Sequence, residues 1–150
     1  MAAKTQFEKL MQEYINDNEW QASELAGDHA MIDFEVGEGE TRTLIVTIHD
    51  DVVELDVPSA VQFEEDSAIP HVVSSLLLKR NAQFNYGAWV LEKIEDAWFY
   101  SLMYNEELAI LEQRDAEEFS EIVDILMGEC DEFEAIWNEY SETGNLPEPE

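Results

Sequence analysis

Residues 76–89 read LLLKRNAQFNYGAW. Lys79 and Arg80 stand side by side in a chain with few cations, and Phe84, Tyr86 and Trp89 follow at once. A basic pair ahead of stacking side chains is what a nucleic-acid binder displays. The neighbouring residues give a simpler reading. Val73, Leu76 and Leu77 form one apolar face behind Pro70, which suits the first turn of a helix because its missing N–H would have no partner there. The cations then fall in the last helical turn, against the negative end of the backbone dipole, where each contributes about 0.3–1 kcal/mol at an exposed site. The stretch is therefore a helix terminus leading into an aromatic strand.

Downstream, the spacing predicts a hairpin over roughly Tyr86 to Glu92 and Trp98 to Tyr104, with its turn between Lys93 and Ala97. Apolar side chains occupy both parities. Trp98, Tyr100 and Leu102 share one face, Phe99 and Met103 the other. A helical layer buries one of these faces; the second then needs solvent, a ligand or another subunit. The last element is a long helix with capping-box spacing at Asp115 and Glu118. Phe119, Leu126, Phe133 and Tyr140 recur every seven residues, interleaved with Val123, Cys130 and Trp137, a seam of about six turns. Ile122 and Ile125 widen it in the early turns. Residues 1–142 read as one domain, and residues 143–150 as a frayed acidic tail.

Upstream, Thr5 and Glu8 also have capping-box spacing, and Phe7, Leu10, Met11, Tyr14 and Ile15 share a helical face that ends near Asn18. From Met31 to Val57 the period becomes alternating: Ile32, Phe34, Val36; Leu44, Val46, Ile48; Val53, Leu55, Val57. This is an antiparallel meander with turns at GEGE (37–40) and HDD (49–51). A short acidic loop over Glu64 to Asp66 leads to the helix behind Pro70. The order is α-β-β-β-α-β-β-α, an α+β chain.

Composition bounds what such a chain does. At 150 residues it buries a core without disulfides or metal, and a 45% hydrophobic share is globular. Seven Lys and Arg face 36 Asp and Glu, a formal net charge of −29, so the mean field repels phosphate backbones and anionic membranes. One cysteine, Cys130, makes no internal disulfide. With no leader-like stretch in view, it points to a reducing, cytoplasmic compartment.

The order, together with Leu76 to Leu91, resembles the YbjN family and the related class I chaperones of type III secretion. In that family a leucine-rich helix ends at an asparagine, here Asn81, and an aromatic-Gly-small-aromatic strand follows, here Tyr86, Gly87, Ala88 and Trp89. The resemblance implies helices on one face of an antiparallel sheet, a tendency to dimerise, a protein-holding or regulatory role and no catalytic residues to carry over. The final helix is longer than the family pattern and the surface more acidic.

Residues able to carry chemistry form no constellation. His29, His49 and His71 belong to no motif, and Cys130 lies on the apolar seam, where a small buried hydrophobe is the ordinary outcome. His49, Asp50 and Asp51 converge in a turn, but adjacent residues of a tight hairpin point apart, and no zinc or calcium spacing occurs. Thirty-six acids guarantee carboxylate pairs and so identify none. Gly37 and Gly39 lack the third glycine of a dinucleotide loop. The expectation is a non-enzymatic, cofactor-free, homodimeric protein that binds another protein and neither nucleic acid nor membrane. Its binding or dimer surface draws on Trp89, Trp98, Phe99, Tyr100, Met103, Phe133, Trp137 and Tyr140. The alternative is an acidic nucleic-acid mimic that occupies a basic DNA-binding protein.

Overall fold

The structure, a computed structural model, describes residues 2–37 and 39–147. Helix α1 (Ala2–Asp17) precedes four strands, β1 (Gln21–Leu25), β2 (His29–Gly37), β3 (Glu40–His49) and β4 (Val52–Phe63). A 3-10 turn at Asp66–Ala68 leads to α2 (His71–Asn81), then β5 (Ala88–Ile94), β6 (Ala97–Glu107), one turn of helix α3 (Leu108–Leu111) and α4 (Ala116–Thr143). The strands form one antiparallel sheet in the order β1-β2-β3-β4-β6-β5. The expected succession is present, with β1 and α3 in addition. Both tight turns place a residue at positive φ, Asp50 at 57° and Glu95 at 57°, and Gly39 at 76° closes the β2–β3 turn.

One face of the sheet carries the core. Ala30, Ile32, Leu44, Val46, Ile48, Val53, Leu55, Val57, Trp89, Tyr100 and Leu102 are all buried there, beneath α1, α2 and α4. The residues expected on the α1 face are buried without exception, although the helix starts by Ala2, so Thr5 lies inside its first turn rather than at its cap. Tyr14 locks α1 down: its ring stacks on Phe119 at 4.4 Å, and its hydroxyl lies 2.7 Å from the carbonyl oxygens of both Leu111 and Arg114. The α4 seam is buried through Phe133, and its capping box is complete: the Glu118 N–H donates to Asp115 Oδ1 at 2.8 Å, and the Asp115 N–H to Glu118 Oε1 at 3.4 Å. Past its end, Gly144 adopts φ 76° and Leu146 packs against the core, so the described part of the tail is tied down. Residues 148–150 lie outside the described residues.

Strand β4 runs past Pro58, where the sequence suggests a stop. A proline lacks the N–H a ladder needs, and it is tolerated where pairing breaks. Pairing with β6 shifts between Pro58 and Gln62, and Glu134 of α4 covers the break by accepting from the Ala60 N–H at 2.8 Å. The same carboxylate takes both terminal nitrogens of Arg42 at 2.9 Å, which ties β3, β4 and α4 together.

The opening stretch gains two roles beyond the dipole. Arg80 is clamped by Glu129 of α4, Nε to Oε2 at 2.9 Å and Nη2 to Oε1 at 2.6 Å, and also donates to Glu132 at 2.7 Å. Asn81 donates its amide to the Trp89 carbonyl at 3.1 Å and accepts the Trp89 N–H at 2.6 Å. One side chain thus fills both main-chain positions of an edge residue on β5.

Candidate functional site

The helices leave the other face of the sheet uncovered. Its residues follow from the register. Ile45 lies beside Asp56, Asp56 beside Met103, and Met103 beside Ala88. In the next row Pro58, Ser101 and Val90 are neighbours, and Glu92 faces Phe99 beyond them. Ile45, Pro58, Val90, Phe99 and Met103 are partly exposed, an apolar patch with no helix over it. Around it stand Asp33, Glu35, Glu54 and Glu92. Asp33 accepts from the Thr43 hydroxyl at 2.8 Å. Phe99 also walls two depressions, of about 640 and 540 Å³. Trp137 and Glu134 form the far side of the larger one.

At the centre of this face Asp56 is 5% exposed and Ser101 0%. The Asp56 and Glu92 carboxyls interact closely enough to share a proton. Burial first, then the hydrogen bond and charge of Glu92, then the charge of Glu54, push the Asp56 carboxyl up to about 9, so Asp56 carries the proton at neutral pH. The consequence for stability has a definite sign. The unfolded chain releases this proton near 3.8, so the contribution is complete below that pH and is lost as pH climbs toward about 9. Asp56→Asn keeps the shape, donates to Glu92 and has nothing to ionise. It is expected to exceed the parent in stability by on the order of 2 kcal/mol at pH 8, with the gap closing by pH 4, as read from urea midpoints at the two pH values. Equal midpoints at pH 8 would place the proton elsewhere.

The residues singled out in the sequence divide into two groups. Trp89, Tyr100 and Phe133 are 4%, 2% and 0% exposed and belong to the core, so they offer no surface; α4 lies over them. Phe133 touches both other rings, with centroids 4.9 Å from Trp89 and 5.4 Å from Tyr100. From Tyr100 the ring contacts continue through Phe63 to Trp137 and Tyr140. Trp98, Phe99, Met103, Trp137 and Tyr140 stay partly exposed. Of these, Phe99 and Met103 lie on the uncovered face, while Trp98 pairs with Phe63 and Lys93 at the end of the sheet. Asp56, Glu92 and Ser101 escaped sequence reading because each sits at an outward strand position, where a polar residue is unremarked.

Other chemistry is sparse among the described residues. No group of three or more His, Cys, Asp or Glu is placed to hold a metal ion. Burial pushes the Cys130 thiol up to about 12 against the opposing pull of Arg42, so it is not a ready nucleophile. His29 is held at the sheet margin by Glu24 at 3.0 Å and Asp28 at 2.8 Å. No helix among these residues is long and apolar enough to cross a membrane.

This is an α+β fold of one antiparallel sheet with helices on a single face. Among solved structures it is similar to the crystal structure of YbjN from E. coli, a protein provisionally described as a transcription regulator. The likeness covers 95% of this chain and 96% of that one, at a TM-score of 0.57 and 11% identity. The chain therefore shares the YbjN fold. No family model matches it, and no curated protein does.

Proposed function

We propose that this protein is a non-enzymatic module that binds another protein, in a chaperone-like or regulatory role, through the uncovered sheet face around Phe99 and Met103. The observation that carries this reading is the β5–β6 hairpin itself. Its Trp89, Tyr100 and Leu102 are buried under helices, while Val90, Phe99 and Met103 on the opposite side have none above them. Half-exposed apolar side chains grouped on a sheet are a contact surface in search of a cover. The shared fold with YbjN, described as a regulator, agrees with such a role. Residence in the cytoplasm belongs to the same reading.

Self-association is part of the proposal and falls on a different surface. Leu78 is 68% exposed and Leu91 39%, and both border a small cleft with Leu77, Trp89 and Tyr100 behind it. Lys79 and Lys93 lie in the same two elements, α2 and β5, so two acidic copies repel each other least there.

The charge of −29 favours a second reading, in which the surface stands in for a phosphate array and occupies a basic DNA-binding protein. Salt separates the two. Phe99→Asp is expected to abolish partner capture while leaving the folded circular-dichroism spectrum unchanged, and parental capture is expected to survive about 0.5 M salt, where ionic contacts are screened. Capture that disappears with salt and ignores the Phe99 change would favour mimicry instead.

A further inference from the structure

We propose that the centre of the uncovered face is a seat for one lysine side chain of the partner polypeptide, with Glu92 and Asp56 as its counter-ions and Ser101 at its floor. This rests on the protein-binding reading and states what the bound segment must carry.

The geometry follows from the register. Asp56 lies two residues before Pro58 on β4, and Glu92 two residues after Val90 on β5. Pro58 and Val90 both pair with Ser101 on β6, so the two carboxyls flank that serine on the same face. The serine is small, and its neighbours on β6 in that direction are Phe99 and Met103. Apart from the proton that the two acids share, three buried oxygens on this face have no hydrogen-bond partner: Asp56 Oδ1, Glu92 Oε2 and Ser101 Oγ. The serine is wholly buried and independent of the acids. A buried polar atom without a partner is costly and rare, and an unpartnered serine flanked by two carboxyls suits a group that brings several N–H bonds at once. A lysine ammonium brings three, as a compact charge on an apolar stem. Ile45, Met103, Phe99 and Val90 supply the collar that such a stem needs.

Charge selects the occupant. The uncovered face presents Asp33, Glu35, Glu54, Asp56 and Glu92, while the three arginines are engaged elsewhere: Arg42 with Asp131 and Glu134, Arg80 with Glu129 and Glu132, Arg114 with Glu106. A second copy of this chain, nucleic acid and an anionic membrane would all meet repulsion there. A segment with one lysine among apolar residues meets both halves of the surface.

In the free protein the proton on Asp56 holds the two carboxyls together. Glu92 and Glu54 are the charged groups that face Asp56, while β3 and β6 contribute the uncharged Ile45 and Met103. When the ammonium arrives, the Asp56 proton leaves to solvent, the carboxylates part, and both accept from the lysine nitrogen. Binding therefore releases one proton, and affinity climbs with pH below about 9.

The test uses the full chain and two short capped peptides of valine and threonine, one with a central lysine and one with norleucine in its place. Calorimetry in buffers of different ionisation enthalpy gives affinity and proton count together. The lysine peptide is expected to bind at least about tenfold more tightly than the norleucine peptide. It should release about one proton and gain up to about tenfold in affinity per pH unit between pH 6 and 8. Asp56→Asn and Glu92→Gln should each weaken it about tenfold and remove the proton release, whereas Glu121→Gln, on the exposed side of α4, should change neither. Equal affinity for the two peptides, an unchanged proton count in Asp56→Asn, or no binding of the lysine peptide would each overturn the seat. If both peptides bind equally and Phe99→Asp abolishes both, the seat falls while protein binding by this face stands. If Phe99→Asp leaves every interaction intact, the broader reading falls too.

Discussion

Gly87→Ala is expected to cost at least about 3 kcal/mol, lowering the thermal midpoint by about 10 °C. Two causes act together. Gly87 sits at φ 137°, a region that side-chain-bearing residues scarcely enter. A Cβ there would also lie 2.4 Å from the Met103 carbonyl oxygen, 3.1 Å from its carbon and 3.5 Å from the Tyr104 Cα. These are backbone atoms of the partner strand β6, so no rotamer change relieves the contact. The chain would have to pull β5 away from β6 at the pair Ala88–Met103, where the hairpin begins. Against a typical total of 5–15 kcal/mol, the loss is large. Thermal unfolding followed by circular dichroism reads it directly. A shift of only a degree or two would show that the β5 entry bends without effort.

Glu129→Ala is the second large effect, expected at about 3–5 kcal/mol in urea unfolding. Glu129 is 8% exposed and holds three donors: two from Arg80 and the Trp89 indole N–H at 2.8 Å. Its removal leaves a part-buried guanidinium with only the exposed Glu132, and a buried indole N–H with nothing. The reason is desolvation rather than lost attraction, and this makes a sharper expectation. Arg80→Met combined with Glu129→Met removes both charges and should cost less than Glu129→Ala alone, since only the indole N–H is stranded. If the double variant is the less stable, the pair stabilises by direct attraction and the desolvation account is wrong.

Gly87, and the Arg80 and Trp89 that Glu129 holds, lie within the stretch that reads most clearly in the sequence, and the reason is physical. The Asn-to-aromatic pattern is short range: Asn81 reaches Trp89 eight residues on, and Gly87 sits where the chain enters the sheet. The last helix is legible for a similar reason, since its capping box and seven-residue seam are local. Strand β1 was not, because QASEL is almost wholly exposed and has no alternation to read. The continuation of β4 through Pro58 depends on Glu134, far along the chain, accepting the amide that the break releases. The outward positions were least legible. Asp56 alternates with Leu55 and Val57 as a surface residue should, and its burial comes from neighbours on β3, β5 and β6. Arg80 reads as a dipole partner, and nothing local announces Glu129. Of the aromatic hairpin, Phe99 and Met103 stay partly exposed, whereas Trp89 and Tyr100 are buried against Phe133 of α4.

The amide of Asn81 has one further consequence, for how molecules of this protein behave toward one another when crowded. An outer strand ordinarily offers its unused N–H and C=O groups as a template on which foreign strands assemble into fibrils. At Trp89 that template is already occupied by a side chain, so recruitment would have to start at Leu91 and Lys93, where a cation and a short remainder of strand give it little to grip. At the opposite margin, β1 is five residues long and its pairing slips between Ala22 and Glu24. Each rim of the sheet is thus a poor seed, and a chain that leaves one broad face bare stays resistant to growing end on end.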